Sequence, residues 1–385
     1  MADIEKINNV EDDDIAKISG VAVANVSKYM GATYDGGGGD TQATRWLVGA
    51  SGGRIYANDS AGGSFHSGSA SGALGLVVDH GSMNFYNMAY GLDGVSQPRW
   101  IAHSDNVTND LYYISASQDL TNNLLWTSVN VSPNGKTAKR GGPGLRYGNG
   151  NWFAVGGGRS SGANRLVMMS SSDGGGAWQE VNLPEFIGTS NTGYAVYHVS
   201  ANNWKSPLGV GRFYSSSNAI TWGQAAGVIS GYEVYCLGYN ADQGAAGRWI
   251  MGTNSGKIYY SDDNFATDPV AAISPFGTSN VWGVIYAAGT INKWIAIASN
   301  GKIAHSTLGS SFTSSTLPDP IGNSHHMRAI ASDNTIAVVV GATNGGNNCL
   351  LSSSNGVNWT YISSSALGNV NFESIACNVL GAPSS

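Results

Sequence analysis

One turn recurs along the chain and constrains its fold more than any other feature. Its fullest copy is Ser171-Ser172-Asp173-Gly174-Gly175-Gly176-Ala177-Trp178. Close relatives are Ser216-Ser217-Asn218-Ala219-Ile220-Thr221-Trp222 and Ser353-Ser354-Asn355-Gly356-Val357-Asn358-Trp359, with a degenerate form at Ser306-Thr307-Leu308-Gly309-Ser310-Ser311-Phe312. The Asp or Asn side chain can accept backbone N–H groups two residues on, Gly supplies a positive φ, and the closing aromatic is bulky enough to plug the gap to a neighbouring unit. Asp173, Asn218 and Asn355 therefore read as turn residues, and Trp178, Trp222 and Trp359 as packing residues. A repeated unit of this size cannot bury its apolar face alone, so its copies must stack on one another.

Around each turn the sequence has the same plan. An apolar first strand is followed by a second that opens on Trp and runs toward Gly, a third ending in Ser, the turn itself, and a fourth opening with an aromatic. The clearest copy is Leu145-Arg146-Tyr147, Trp152-Phe153-Ala154-Val155-Gly156, Leu166-Val167-Met168-Met169 and Trp178-Gln179-Glu180-Val181. Second-strand markers fall at Trp46, Trp100, Trp152, Leu208, Trp249, Trp294 and Ile336, at intervals of roughly 40 to 55 residues, which is the spacing of four-stranded propeller blades. With 54 Gly and only 11% charged residues, composition also favours an all-β chain with many turns. The fold expected is a seven-bladed β-propeller.

The ends of the repeat predict how the ring closes. The first unit has a second strand (Trp46-Leu47-Val48-Gly49), a third (Arg54-Ile55-Tyr56) and a fourth near Phe65, but no first strand. Asn371-Phe372-Glu373-Ser374-Ile375-Ala376-Cys377 resembles the first strands Val281-Trp282-Gly283-Val284-Ile285-Tyr286 and Met327-Arg328-Ala329-Ile330. The C-terminal strand is expected to complete the first blade, leaving no open edge in the ring. Three regions follow: a docking segment at 1–34, a Gly-rich linker at 35–40 and the propeller at 41–385.

The Ser-x-Asp-x-Gly-x-x-Trp pattern resembles the Asp-box of the sialidase-type (BNR) β-propellers, a motif shared with photosystem II assembly-factor propellers. The likeness covers 41–380 and implies that the box sits at the blade periphery, away from the central funnel. It does not imply glycosidase chemistry. Sialidases resemble one another in a triad of funnel arginines with a Tyr–Glu nucleophile pair. Here the first strands offer only Arg146 and Arg328, placed on opposite strand faces by a period of two, and Tyr232-Glu233 as adjacent residues also face apart. No catalytic residue is assigned, and a sialidase-like hydrolase stands as the second alternative to a binding role.

Other chemistry finds little support. Cys236, Cys349 and Cys377 have no C-x-x-C spacing and read as small buried residues. His325-His326 lacks further metal ligands at a suitable spacing, Asp262-Asp263 occupies a turn, and the Gly clusters lack the helix and Gly-Lys-Ser/Thr of a phosphate loop. No metal or cofactor is expected. Of the formal charge of −6, −5 falls in residues 1–14, so the body is nearly neutral overall and nucleic acid is not expected as a partner. There is no basic, apolar signal sequence and no run of about 18 apolar residues, so neither secretion nor membrane insertion is expected. Ligands of propellers approach the face where first strands begin. That face is expected to carry Asn84, Tyr194, Tyr232, Asn280, His325, His326 and Asn371, with longer second-to-third loops at Asp105–Asp110, Gly157–Arg165 and Thr343–Asn348.

The leader repeats every 11 residues: Ile4, Ile7 and Val10, then Ile15, Ile18 and Val21, then Val26. Asn8-Asn9, Gly20 and Gly31 interrupt any long helix, so short units that push Ile and Val into a neighbouring protein fit better. These repeats resemble leader segments on virion structural proteins of tailed bacteriophages, where they precede fibre or surface modules. The resemblance implies a protein assembled onto a virion in the host cytoplasm, docked to other virion proteins through its leader and trimeric if in a tail fibre. Its propeller would then be displayed as a receptor-binding adhesin for a host-surface glycan or protein, or alternatively as capsid or tail decoration.

Overall fold

Short β-branched and aromatic runs separated by Gly, Asn and Ser fold into antiparallel hairpins, and in this chain they assemble into seven sheets. The computed structural model describes Trp46–Asn378 except 58–74, 80, 82, 94, 105–109, 116–124, 131–135, 139–143, 161–162, 175, 182–194, 201–202, 209–210, 319–320, 322–324, 344–347 and 363–369. The docking segment 1–34, the linker and Tyr194 lie outside the described residues.

Each sheet is one blade, named here from the axis outward. Blade 1 is Phe372–Cys377, Trp46–Ala50, Arg54–Ala57 and Gly75–Asp79; blade 2 is Phe85–Leu92, Pro98–Ser104, Asp110–Ser115 and Thr127–Asn130. Blade 3 is Leu145–Gly148, Asn151–Ser160, Ala163–Ser171 and Gln179–Glu180, with an extra strand, Lys136–Ala138, beside its second strand; blade 4 is Tyr197–Ser200, Asn203–Leu208, Arg212–Ser216 and Trp222–Val228. Blade 5 is Val234–Asn240, Arg248–Thr253, Ile258–Ser261 and Val270–Ala271; blade 6 is Val281–Ala287, Lys293–Ala298, Lys302–Ser306 and Thr313–Ser314; blade 7 is His325–Ser332, Ala337–Thr343, Asn348–Ser353 and Thr360–Tyr361. The seven first strands touch their neighbours in cyclic order, blade 7 returning to blade 1, so the ring is closed. Blade 1 is built from both ends of the repeat, with Trp46 opposite Cys377 and Val48 opposite Ile375, as its missing first strand predicts.

Seven apolar clusters fill the seven gaps between blades. The pleat explains how. Trp46, Trp100, Trp152, Trp204, Trp249 and Trp294 all pack on the preceding blade, and each is fully buried. The residue after each Trp points the other way, so Leu47, Ile101, Phe153, Ile250 and Ile295 pack on the following blade. At roughly 25 cal/mol per Å2 and about 200 Å2 of surface, each buried Trp contributes several kcal/mol.

Register corrects four sequence readings. In blade 4 the marker is Trp204, not Leu208: Trp204 pairs with Ser216 as Trp249 does with Ser261 and Trp294 with Ser306. Lys205 and Pro207 interrupt the apolar run there and disguise it. In blade 7 the equivalent position is Ala337, which pairs with Ser353, one residue beyond Ile336. The outer strand of blade 1 is Gly75–Asp79, past Phe65. Finally, Gly157–Arg165 is not a loop, because the hairpin continues in register to Ser160 opposite Ala163.

Candidate binding face and the opposite turns

The strand register separates two sets of sequence features onto opposite faces of the ring. First-strand heads pair with second-strand ends, as in Val281 with Ala298 and His325 with Thr343, whereas the Ser that opens each recurring turn pairs with a second-strand start.

The turns themselves are fastenings. Asp173 Oδ1 accepts from Ser171 Oγ at 2.6 Å and Ala177 N at 2.9 Å; Asn218 Oδ1 accepts from Ile220 N and Thr221 N, and Asn355 Oδ1 from Val357 N and Asn358 N, all at 2.8–2.9 Å. Partial burial opposes the charge on Asp173, but the bonds from Ala177, Ser171 and Gly176 outweigh it and hold the carboxyl below its usual range. Gly174 and Gly356 take φ of 78° and 71°, as the turn requires. Trp178 packs between blades 2 and 3, Trp222 between 3 and 4, and Trp359 between 6 and 7. The preceding blade also grips the turn. Arg99 Nη1 donates to Gly174 O at 2.5 Å, Gln243 Nε2 to Thr307 O at 2.8 Å, and Arg248 Nη1 to Leu308 O. Asp262 pairs with Arg248 while Asp263 accepts from Ser261 Oγ, so that acidic pair also belongs to a turn. Replacing Asp173 by Ala is expected to cost about 1 kcal/mol in chemical denaturation and Asp173→Asn much less, because Asn keeps the acceptor.

On the other face, the described strand-head residues lie on blades 1, 2, 5, 6 and 7. Asn84 and Asn371 meet at Ser51: Ser51 bridges Asn84, donates its N–H to Asn371 O at 2.9 Å, and its Oγ accepts from Asn371 N at 3.2 Å. Asn280 Oδ1 accepts from Ser255 N of blade 5 at 3.2 Å, and the carbonyl of buried His325 accepts from Gly301 N of blade 6 at 2.6 Å. His326 is half-buried beside it. Tyr232 lies against Tyr259, with centroids 6.1 Å apart. Among the described residues no group of three or more His, Cys, Asp or Glu is placed to hold a metal.

Below this mouth, the structure shows a feature that the repeat pattern did not expose. Among the described residues, five first strands shift register at the same place, so that the pairing skips Tyr86, Tyr235, Trp282, Arg328 and Glu373. A bulge re-aims the extra residue and increases the local twist. Neighbouring bulge residues then meet across blades. Tyr235 and Trp282 stack with centroids 4.6 Å apart at 5°, and Arg328 Nε lies 3.8 Å from Glu373 Oε2. These five residues form a belt on the axial strands, in cyclic order Tyr235, Trp282, Arg328, Glu373 and Tyr86, with the charged pair between aromatics. Gly residues on the second strands allow close packing at this level: a Cβ on Gly252 would come 2.5 Å from Val281 Cγ1, and one on Gly341 would come 2.1 Å from His326 O. The sequence did hold a signal, an aromatic four residues before another, in Tyr86-x-x-x-Tyr90, Tyr235-x-x-x-Tyr239 and Trp282-x-x-x-Tyr286.

The two arginines of the first strands are separated in depth. Arg146 pairs opposite Phe153, next to the Trp end, and its guanidinium sits 4.8 Å from the Tyr197 ring, while Arg328 is at the belt. Glu233 turns away from Tyr232: its Oε2 accepts from Tyr235 Oη at 3.1 Å.

No family model matches the sequence, and no curated protein does. Solved structures are similar in fold. Virginiamycin B lyase from Staphylococcus aureus is 11% identical with a TM-score of 0.51, covering 72% of this chain and 84% of that one. YCF48 from Cyanidioschyzon merolae is 10% identical, TM-score 0.49, covering 76% and 94%, and the α-L-arabinofuranosidase Arb93A from Fusarium graminearum is 12% identical, TM-score 0.44, covering 70% and 92%.

Proposed function

We propose that this chain is a non-enzymatic binding module: a phage structural protein attached to the virion by its leader and displaying the propeller as a tail-fibre or adhesin head for a host-surface glycan or protein. The observation that carries the reading is the axial belt, where the stacked Tyr235–Trp282 pair and the Arg328–Glu373 pair lie below a mouth rimmed by Asn84, Asn280 and Asn371. Flat aromatic faces beside fixed amides and charges suit sugar rings, and a closed ring holds them rigidly. The turns that resemble Asp-boxes serve blade cohesion on the opposite face, in keeping with a scaffold role for that motif.

The test is binding of the purified chain to a glycan array and to host cells. Trp282→Ala is expected to weaken binding about tenfold, the order of one lost aromatic contact, with an unchanged circular dichroism spectrum. Silence on the array together with no cell binding would remove the adhesin reading. If, in addition, particles lacking the protein adsorb normally and deletion of 1–34 prevents incorporation, the decoration role takes its place.

A second reading rests on one hydrogen bond. Tyr235 Oη donating to Glu233 Oε2 is an acid–phenol pair near the axis, the arrangement by which a carboxylate can activate a tyrosine nucleophile. Release of reducing sugar that is abolished in both Tyr235→Phe and Glu233→Gln would establish this sialidase-like role; no release by the native chain removes it.

A further inference from the structure

From Leu120 to Ser172 the chain has no Asp or Glu, yet it carries Lys136, Lys139, Arg140, Arg146, Arg159 and Arg165. The net charge of −6 therefore divides into +6 on this stretch and −12 on the rest. The fold collects part of that charge at one place. In blades 2, 5 and 6 the second strand ends four residues after its Trp, at Ser104, Thr253 and Ala298; in blade 3 it runs four residues further, to Ser160, paired throughout with Ala163–Ser171. At about 3.3 Å per residue the hairpin extends some 13 Å past the usual strand end, on the strand-head face. The extra strand Lys136–Ala138 pairs along its other side, placing Lys136, Gly158 and Arg165 in one cross-strand row and Arg159 in the next.

Where the middle strand leaves the blade for this projection it reads Gly156-Gly157-Gly158. Glycine weakens a strand interior, and it marks places where a ligand or another backbone approaches closely. A glycine strip with the register positions of Lys136 and Arg165 on either side, about 10 Å apart, suits a chain polymer with spaced negative charges. We propose that the projection of blade 3 docks a polysaccharide bearing carboxylates. This rests on the reading of the chain as a glycan-binding module. Duplex nucleic acid fits less well: it carries a charge every ~1.7 Å and needs many phosphate contacts, whereas the blades outside this stretch are net acidic.

Isothermal titration of the full chain against polygalacturonate and against its methyl ester tests this. The acidic polymer is expected to bind at least tenfold more tightly, with an affinity that falls as salt rises. The variant Lys136→Gln/Arg159→Gln/Arg165→Gln is expected to lose about tenfold for the acidic polymer and nothing for the ester, with an unaltered melting curve. Equal binding of both polymers overturns the docking proposal and leaves the glycan module standing. Tighter binding of a duplex oligonucleotide than of polygalacturonate also overturns it. Failure to bind either polymer overturns it too, and the glycan array then decides separately whether the broader reading survives.

Discussion

Unfolding free energies measured from pH 4 to 10.5 are expected to rise in two steps, and each step to vanish with a single substitution. The alkaline step belongs to Lys205. It occupies the position after the second-strand Trp, where other blades place Leu47, Ile101, Phe153, Ile250 and Ile295 against the next blade, and it is only 3% exposed. Its described bond is Nζ to Ser215 Oγ at 2.7 Å, and burial lowers its pKa from 10.5 to about 8. Between those values the unfolded chain binds the extra proton, so stability increases with pH, reaching about 3 kcal/mol over the window. The acid step belongs to His103, 1% exposed, with neither ring nitrogen hydrogen-bonded and its pKa lowered by burial from 6.5 to about 4. Here too the unfolded chain holds the extra proton, so about 3 kcal/mol is present above pH 6.5 and lost as pH falls to 4. Lys205→Leu should stabilise the protein at pH 7 by as much as the alkaline step and flatten the curve above pH 8. His103→Leu should flatten it between 6.5 and 4. Native slopes persisting in both variants would show that neither group is the source.

The fold was legible because its signals are local. A Trp at six of the seven second-strand starts and an Asp or Asn turn after several third strands state both the blade count and the packing direction, since a period of two fixes which side each residue takes. Even the ring closure could be read, from one unit lacking a first strand and one strand left over. What failed was legibility of detail where that period breaks. The bulges displace Tyr86, Tyr235, Trp282, Arg328 and Glu373 from simple alternation, so the belt did not show in the pattern; adjacency set Tyr232 and Glu233 apart, but nothing in the sequence pointed to the bond from Tyr235 Oη to Glu233. Polar intrusions hid other positions: Lys205 and Pro207 moved the blade 4 marker to Leu208, and three consecutive glycines made a paired hairpin look like a loop. Net charge also averaged away the segregation of basic residues onto blade 3.

A chain ending at Val370 is expected to lose cooperative folding altogether, because the strand it lacks is shared between the two ends of the repeat. Phe372, Ile375, Ala376 and Cys377 are all buried, and they serve two interfaces: Phe372, Ile375 and Cys377 in the cluster with blade 7, Ala376 in the cluster with blade 2. Their removal also strips Trp46–Ala50 of one side of its hydrogen bonding and turns a central strand into an open edge. At about 1.5–3 kcal/mol for each large side chain, together with the unmet backbone groups and the exposure of Trp46 and Phe85, the loss is on the order of 10 kcal/mol. That is comparable with the whole stability of an ordinary domain. Ending the chain instead after Asn378 keeps the strand and should leave the melting midpoint near the native value. A synthetic peptide covering 368–381 should restore a cooperative transition to the shorter chain, with a midpoint that climbs with peptide concentration by mass action. The ring-closing role is wrong if the chain ending at Val370 melts at the native midpoint without peptide. Loss of the innermost strand of blade 1 is felt by both neighbouring blades at once, and the belt residue it carries, Glu373, goes with it.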